Sequence, residues 1–259
     1  MSDESGTIRL ERRGATAFIT FDRPSARNAM TWSMYEQLGN VLDSLASEPG
    51  LRVAVLRGAG GHFAAGTDIA QFAAFESAED GAAYERRIDA LIARLDALPV
   101  ATIAAVEGFA AGAGLVLAAA CDLRVCTPDA RFGVPIAKTL GNCLSMANYA
   151  RLVASLGAAR TKALLFMADF MTADEAHALG FVSQVIEPHA FARQLDALTA
   201  RVAALAPITL QVTREVVRRM VARLTVDGDD LVHRAYGSAD FREGVTAFVA
   251  KRSPRWEGR

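Results

Sequence analysis

The sequence predicts an α/β fold in which a mainly parallel sheet precedes a layer of helices. Short apolar runs alternate with helical segments over the first half of the chain, and the strand signal nearly vanishes after Leu144, where only residues 182–186 keep it. Strands that alternate with helices indicate right-handed crossovers and parallel pairing. With 259 residues, 52% of them hydrophobic, the chain is long enough for one sizeable core. We therefore expect a single domain.

The first half of the chain supplies the predicted strands. Residues 7–10 and 17–21 flank the turn Arg12-Arg13-Gly14 and predict a β-hairpin. Helical spacing covers residues 30–46 and 77–98. Further short apolar runs that predict strands lie at residues 51–57, 102–106 and 122–126.

The remainder of the chain is predicted to form helices of about ten to twenty residues. Pro188, Pro207 and Gly228 stand where helix boundaries are expected, and no Ser-, Pro- or Gly-rich linker divides the chain. Residues 108–121 form the longest apolar stretch, which is shorter than the roughly 20 residues that cross a bilayer. We predict a buried helix there.

The composition excludes several classes of partner. Lys and Arg number 28 and Asp and Glu number 29, which leaves a net charge of -1 and no field that would attract nucleic acid or an anionic membrane. Three cysteines without a CxxC pair fit a reducing compartment. The stretch 1–13 lacks the apolar segment of a signal peptide. We expect a cytoplasmic protein with neither nucleic-acid nor membrane partners.

Two glycine-rich turns, each after a predicted strand, are the most informative part of the sequence. They read RGAGGHFAAGTDI over residues 57–69 and VEGFAAGAGLVLAAACD over residues 106–122. Phe63 stands where a dinucleotide motif needs a third glycine, and neither turn contains the GK[ST] of a phosphate loop, so nucleotide binding is disfavoured. The second turn opens a helix near Ala113, whose dipole adds positive charge to the exposed N–H groups. Two converging N–H groups would stabilise the oxyanion of a thioester or its enolate.

Five segments in register resemble the crotonase (enoyl-CoA hydratase/isomerase) family over almost the whole chain. They are HFAAGTDI, VEGFAAGAG with AAACDLRV, ARFGVP, MTADEAHALGFVSQVI and DFREGVTAFVAKR. The resemblance implies a ClpP-like spiral of ββα units with a C-terminal helical layer, assembled as a homotrimer or a dimer of trimers. Residues 1–200 would form the spiral core and residues 201–259 a helical region for trimer or lid contacts. Aromatic residues at helical spacings would pack in that region or touch the acyl tail: Tyr236, Phe241 and Phe248.

The resemblance also implies the ligand and its oxyanion site. The ligand would be an acyl-CoA thioester, with coenzyme A as part of the substrate and no separate cofactor. The backbone N–H groups of Thr67 and Ala113 would form the oxyanion hole. An alternative stays open, because glycine-rich turns also serve to pack a strand tightly against a helix with no ligand.

Contacts with coenzyme A are implied on the loop RPSARNAM and on the first glycine turn. The matching positions are Ala26, Arg27, Ala65, Asp68 and Ile69. The basic residues that often meet the CoA phosphates are replaced by Ser25, Gly61 and Ala70. Arg27 would therefore carry more of that contact. Asp68 has a second interpretation, as a cap or brace of its turn.

The chain departs from the family at both positions where its hydratases carry a glutamate. Val116 stands two residues beyond the GxG of the second turn, and Ile136 follows the proline of the FG-x-P motif. A one-residue offset would place Ala137 there instead, which is no better as an acid or base. General acid–base groups contribute about 10²–10⁴ each. Efficient hydration of an enoyl thioester is therefore not expected.

Polar residues that follow the FG-x-P motif are candidates to replace the missing acid and base. A buried Lys138 would serve as a base or, charged, would hold a substrate carboxylate; the alternative is a solvated surface lysine. Asn142 or Ser145 could orient water or a carboxylate by hydrogen bonding. Cys143 is a weaker candidate as a nucleophile, because no histidine is near in sequence and buried cysteines are usually inert.

The histidines do not predict a metal site. His62 precedes the first oxyanion turn, where some family members carry a catalytic histidine, but we expect an exposed loop residue. The other three lack paired carboxylates at metal-ligand spacing: His177, His189 and His233.

We predict an acyl-CoA lyase or isomerase-like enzyme that stabilises an enolate through Thr67 and Ala113. The alternative is a binding or scaffolding protein that keeps the fold but has lost catalysis, against which the polar groups around Asn142 argue mildly. As an enzyme it would be a poor hydratase, or would catalyse decarboxylation or C–C cleavage, in which substrate breakdown itself yields the enolate. The position of Lys138 distinguishes the enzyme hypothesis from the scaffold hypothesis. In an enzyme for decarboxylation or C–C cleavage we expect Lys138 to face the oxyanion hole, whereas in a scaffold it would lie in solvent.

Overall fold

The computed structural model describes residues 5–259, and it opens with the predicted hairpin. The first four residues, part of the stretch expected to lack a signal peptide, lie outside the described residues. Strands β1 (Thr7–Arg13) and β2 (Thr16–Asp22) pair antiparallel from Thr7 opposite Asp22 to Arg13 opposite Thr16. Gly14 adopts φ +58° at the turn, a conformation that favours glycine. The hairpin is confirmed, with strands longer than predicted.

A larger sheet carries the core. The remaining strands among residues 5–259 are β3 (Val53–Gly58), β4 (Ala101–Val106), β5 (Phe109–Ala111), β6 (Leu123–Cys126), β7 (Arg131–Gly133), β8 (Met171–Thr172) and β9 (Gln184–Val185). The six-stranded sheet has the order β1-β2-β3-β4-β6-β9, and every pairing in it except the hairpin is parallel. The predicted parallel α/β architecture is confirmed.

The second sheet corrects one prediction. Residues 108–121 were expected to be helical throughout, but Phe109–Ala111 forms β5, which pairs with β7 and lies in the order β5-β7-β8. Gly112, with φ +52°, separates this strand from the helix that follows. A short apolar run cannot be assigned to strand or helix from periodicity alone, which explains the difference.

Helices cover the sheet and fill the C-terminal half. They are α1 (Trp32–Ala46), α2 (Ala78–Ala97), α3 (Ala113–Ala120), α4 (Ile136–Thr139), α5 (Met146–Met167), α6 (Ala173–Ala178), α7 (Pro188–Ala203), α8 (Pro207–Ala222), α9 (Asp229–Tyr236) and α10 (Ala239–Val249). Pro188 and Pro207 occupy the first turns of α7 and α8, and Gly228 is the N-cap of α9, as predicted. The division expected at residue 200 falls within α7 and stays a prediction.

Three apolar clusters hold these layers together. The largest lies between one face of the sheet and helices α1, α2 and α3, and the second lies between the opposite face and α7. The third packs Phe72 against Tyr236 and Phe241 from α9 and α10. Within residues 5–259 no single helix is both long and apolar enough to cross a membrane; α7 and α8 pass that test only as a pair, which is bent by 98°.

Arg214 anchors α8, a helix that buries none of its own residues. Its guanidinium donates to Asp122 Oδ1 at 2.7 Å and to the carbonyls of Val100, at 2.7 Å, and Leu98. Asp122 also accepts hydrogen bonds from the backbone and side chain of Thr102. One arginine thus ties the helix to the N-terminal ends of β4 and β6.

Replacing Arg214 by Met should lower the free energy of unfolding by about 1–3 kcal/mol, because it removes the ion-pair partner of Asp122 and the donor to two backbone carbonyls. Arg219→Met is the matched control, since Arg219 pairs with Glu215 on the exposed side of the same helix and such pairs contribute little, about 0–1 kcal/mol. Urea titration of both variants measures the difference. Equal losses would show that Arg214 is no anchor.

Candidate active site

The two glycine turns meet through their backbones. The Ala64 N–H donates to Phe109 O, and the Ala111 N–H donates to Ala64 O, both at 2.9 Å. Gly66 adopts φ +101°, and a Cβ there would lie 3.1 Å from the Ala111 oxygen. A Cβ on Gly112 would lie 3.7 Å from the Gly66 Cα. The contact therefore needs glycine at position 66, and it sets Gly66 against Gly112, the residues that precede Thr67 and Ala113.

The N–H groups of Thr67 and Ala113 have no acceptor among residues 5–259. Thr67 forms a parallel bridge with Met30, in which Gly66 O and Asp68 N make the hydrogen bonds. Ala113 is the first residue of α3, where N–H groups have no partner within the helix. Two N–H donors of this kind, one of them at a helix N-terminus, would suit an oxyanion. The oxyanion hole itself stays a prediction.

The loop before α1 is attached to the first glycine turn by Asn28, which is fully buried. Its Oδ1 accepts from Arg23 N at 2.8 Å, and its Nδ2 donates to the carbonyls of Ala59 and His62. The Ala65 N–H donates to Arg27 O at 3.0 Å. The structure thus brings the predicted CoA-contacting segments together, although the CoA contacts themselves stay a prediction.

Within these segments the predicted residues differ in exposure. Arg27 is exposed, with its guanidinium 5.4 Å from the centre of the Phe109 ring, while Ala26, Ala65 and Ile69 are half-buried. Asp68 pairs with Arg23 at 2.8 Å and caps the N–H of Ala70 at 3.2 Å. The interpretation of Asp68 as a brace of its turn is confirmed.

The two expected glutamate positions are buried and apolar. Val116 is 1% exposed and Ile136 is 9% exposed. Ala137 and Lys138 follow on α4, and both are exposed. Lys138 has no hydrogen-bond or ion-pair partner among the described residues, which matches the alternative of a solvated surface lysine. Because a lysine in solvent was expected for a scaffold, this position favours a scaffold over decarboxylation or C–C cleavage. Its role toward a substrate stays untested.

Asn142 and Ser145 belong to a buried polar network that sequence reasoning did not assemble. Asn142 Nδ2 donates to the Tyr236 hydroxyl at 3.0 Å, and Asn142 Oδ1 is buried without a partner. Ser145 donates its backbone N–H to Glu85 Oε2 at 2.8 Å and its hydroxyl to Asp89 Oδ1 at 2.7 Å. The centre of the network is Glu85.

Glu85 lies on α2, 4% exposed, and accepts the Tyr236 hydroxyl at 2.6 Å. Burial raises the pKa of its carboxyl to about 7, against the lowering effect of the bonds from Tyr236 and Ser145, and the charge of Asp89 raises it further. The sequence could have indicated that Glu85 is buried, because it lies on the apolar face of α2 together with Ile88, Ile92 and Leu95.

A chain of hydroxyls adjoins the first glycine turn. Thr67 Oγ1 lies 2.7 Å from the Tyr35 hydroxyl and 2.7 Å from the Tyr84 hydroxyl. Burial raises the pKa of both phenols, and the charge of Glu85 raises them further, so both stay protonated. Sequence reasoning missed the two tyrosines, which reach Thr67 from α1 and α2.

Aromatic rings enclose this region. Edge or tilted contacts, with ring centres 4.9–6.3 Å apart, and one stacked pair, Trp32 on Phe75 at 6.4 Å, connect six rings: Trp32, Phe72, Phe75, Tyr84, Tyr236 and Phe241. The predicted packing of Tyr236 and Phe241 is found within the chain, against the segment Ile69–Ala74, whereas Phe248 is 48% exposed. The cluster gives the region beside Thr67 an apolar wall.

The remaining candidates are less suited to chemistry. Burial and the charge of Glu85 raise the pKa of the Cys143 thiol to about 12, which leaves almost no thiolate at neutral pH. His62 is half-buried rather than exposed as expected, with its ring against Phe109 and its Nδ1 accepting the Phe109 N–H at 3.4 Å. His233 bonds Glu79 on the surface, and the described residues contain no cluster suited to a metal.

The comparisons with known proteins agree with this architecture. Residues 11–259 match the model of the family described as Enoyl-CoA hydratase/isomerase. The 2,3-dehydroadipyl-CoA hydratase of Escherichia coli (strain K12) is 32% identical over 255 residues, which cover 96% of this chain and 98% of that protein.

Two solved structures illustrate the structural likeness. An enoyl-CoA hydratase/carnithine racemase from Magnetospirillum magneticum is 32% identical, with a TM-score of 0.79 over 97% of this chain and 96% of that one. A methylmalonyl-CoA decarboxylase in complex with 2-nitronate-propionyl-CoA has a TM-score of 0.89 over 97% and 98% of the two chains. At 24% identity the latter shows the fold alone.

Glu85 should make stability depend on pH. Its pKa is raised from 4.5 to about 7 on folding, so its stabilising contribution is complete below pH 4.5 and is lost as the pH rises through 7. We therefore compare the free energy of unfolding of Glu85→Gln with that of the unmodified protein at each pH. The difference should shift in favour of the variant by about 2–3 kcal/mol when the pH is raised from 5 to 8. Unfolding titrations at both pH values measure this, with the exposed Glu36→Gln as control. A difference that does not vary with pH would contradict the assignment.

Proposed function

Because the chain belongs to the enoyl-CoA hydratase/isomerase family, we propose that it is an acyl-CoA enzyme that stabilises a thioester enolate with the N–H groups of Thr67 and Ala113. The observation that carries this proposal is a pair of backbone N–H groups that find no acceptor within residues 5–259 and that directly follow the contact between Gly66 and Gly112. Fixed donors of this kind act without reorganising when charge develops, and each contributes about 10²–10³ in rate.

The reaction we propose is one that needs no strong base for its first step. Val116 and Ile136 can neither donate nor accept a proton, and both oxygens of Glu85 are engaged by Tyr236 and Ser145. Decarboxylation or C–C cleavage suits such a site, because the breaking bond itself delivers the electron pair to the enolate. Hydration would lack the two groups that activate and deliver water.

A second candidate is an acyl-CoA-binding homologue without catalysis, which the exposed position of Lys138 favours. Coenzyme A would lie along the loop before α1 and the first glycine turn, with Arg27 as its main cationic contact. Ser25, Gly61 and Ala70 are neutral where basic residues often meet the phosphates, so we expect modest affinity for the nucleotide end.

The first experiment is a panel of thioesters: crotonyl-CoA, a 3-enoyl-CoA, malonyl-CoA and methylmalonyl-CoA, with acetoacetyl-CoA binding measured by calorimetry. Release of CO₂ would support decarboxylation. Rapid hydration of crotonyl-CoA would contradict the interpretation of Val116 and Ile136. Binding without any turnover would favour the second candidate, and absence of binding would overturn the acyl-CoA assignment.

Ala113→Pro removes one proposed donor at a helix position that tolerates proline. We expect kcat to fall about 10²-fold or more on the active thioester, while Ala113→Gly, which retains the N–H, loses less than about tenfold. Steady-state kinetics and circular dichroism separate loss of the donor from loss of the fold. A folded proline variant with full activity would exclude Ala113 as a donor.

We also propose that the chain assembles as a homotrimer or a dimer of trimers, partly through α8. Exposed apolar side chains recur on and just after this helix: Ile208, Val212, Val216, Val217, Met220, Leu224 and Val226. A cavity of about 670 Å³ lies between α8 and helices α2 and α5. A continuous apolar face of this kind commonly marks a protein interface.

The double substitution Val216→Asp and Met220→Asp should dissociate the assembly, since it would bury two unpaired charges in the interface. Sedimentation velocity should show protomers, while Val216→Ala with Met220→Ala should weaken assembly without abolishing it. A monomeric unmodified protein, or an unchanged assembly in the Asp variant, would refute this role of α8.

A further inference from the structure

Helix α9 docks on α2 through Tyr236, the last residue of α9. The Tyr236 side chain is 2% exposed, and its ring lies so close to Gly81 that a Cβ there would overlap it. Helix α10 packs as closely, since a Cβ on Gly244 would overlap the backbone of Leu140. Tyr236 also meets the Tyr84 ring in the aromatic cluster, with 6.3 Å between the ring centres. We call α9 and α10 together the cover, because they close one side of this cluster.

Docking of the cover places the Tyr236 hydroxyl on a buried carboxyl group. The hydroxyl donates to Glu85 Oε1 at 2.6 Å and accepts from Asn142 Nδ2 at 3.0 Å, and Cys143 O lies 3.4 Å away as a second acceptor. The other oxygen of Glu85 accepts the Ser145 N–H. A neutral carboxyl also satisfies this set, because it can donate to Tyr236, whose own proton then turns to Cys143 O through a longer bond. The hydrogen bonds therefore admit both protonation states of Glu85.

Charge distinguishes the two states. The titratable groups that act on Glu85 from the elements around it are Tyr35 on α1, Tyr84 and Asp89 on α2, Cys143 before α5, Tyr149 on α5 and Tyr236 on α9. None of them is a cation, and Asp89, one turn further along α2, is itself an acid. Burial therefore opposes ionisation and raises the pKa of the Glu85 carboxyl to about 7, as described above.

We propose that α9 and α10 form a proton-linked cover, which stays docked while Glu85 is protonated and is released when Glu85 ionises. Release would hydrate the carboxylate and also Asn142 Oδ1, which is buried without a partner in the docked state. The docked cover binds the proton more tightly than the released one, so docking is strongest below pH 4.5 and weakens as the pH rises through 7.

The link between α8 and α9 suits such a movement. Residues 223–227 are exposed and belong to neither a helix nor a strand, so the cover can move without displacing α8. Release would expose the aromatic cluster, and with it the Tyr84 ring, to solvent. The cover needs no acyl-CoA chemistry to operate, so this inference and the proposed function can fail separately.

A second titratable pair lies on the same contact between α2 and α9. His233 Nε2 lies 3.1 Å from Glu79 Oε2 on the surface, and the Asp229 carbonyl together with Glu79 raises the pKa of the imidazole. Loss of the His233 proton would weaken docking in the same direction of pH. Exposed pairs contribute little, so we assign the larger effect to Glu85, and substitution of each residue separates the two.

Hydrogen exchange measures release of the cover, through the protection factors of amides in α9. In the unmodified protein we expect them to fall about tenfold or more from pH 5 to pH 8. At each pH they should lie about tenfold or more below those of β4, since a local opening precedes global unfolding. Glu85→Gln imitates the protonated carboxyl, because it can accept from Ser145 and donate to Tyr236, and should change less than about threefold. His233→Gln is the matched control and should keep the full pH dependence.

Three results would overturn the inference. Protection in α9 equal to that in β4 would show that no separate cover opens, and protection that does not vary with pH would show that docking is not linked to a proton. A pH dependence that persists in Glu85→Gln and disappears in His233→Gln would assign the effect to the surface pair. Should Glu85→Gln not fold, His233→Gln alone decides: a midpoint near pH 7 that persists supports Glu85, and its loss contradicts it.

Discussion

The candidate site depends on a contact between two stretches of bare backbone. Gly66 and Gly112 approach so closely that a side chain on Gly66 would meet the Ala111 carbonyl at 3.1 Å. The contact is held by the pairing of Ala64 with Ala110, which joins the first turn to the second sheet. The six-stranded sheet, the short strands β5 and β7 and the start of α3 all serve to bring these turns together.

Helix α2 connects the turns to two separate polar groups. Tyr84 and Glu85 are successive residues, and successive side chains of a helix point about 100° apart. One therefore reaches Thr67 and the hydroxyl chain, while the other reaches Ser145 and Tyr236. The aromatic cluster separates the two groups from solvent, which raises the pKa of Glu85 and of the phenols alike.

Features that depend on local sequence were predictable. The hairpin around Gly14, the capped start of α2 at Ser77 and the proline starts of α7 and α8 follow from turn and cap chemistry within a few residues. Strand β5 was missed because a three-residue strand inside an apolar run has no periodicity of its own.

The side-chain contacts of the site could not be predicted in this way. Tyr35 and Tyr84 lie 32 and 17 residues from Thr67, and their meeting depends on how α1 and α2 pack. Lys138 was considered as a possible pocket residue because it is polar and near a motif, but the one-turn helix α4 leaves it exposed. Glu85 was visible only as a charge on an apolar helix face.

The backbone origin of the two proposed donors also determines what a mutational survey of this protein would see. Alanine scanning removes side chains, so it would register the hydroxyl and carboxyl groups around the site and pass over the peptide N–H groups of residues 67 and 113. The chemically informative replacement at these two positions is an ester bond in place of the amide, which deletes the donor and keeps every side chain.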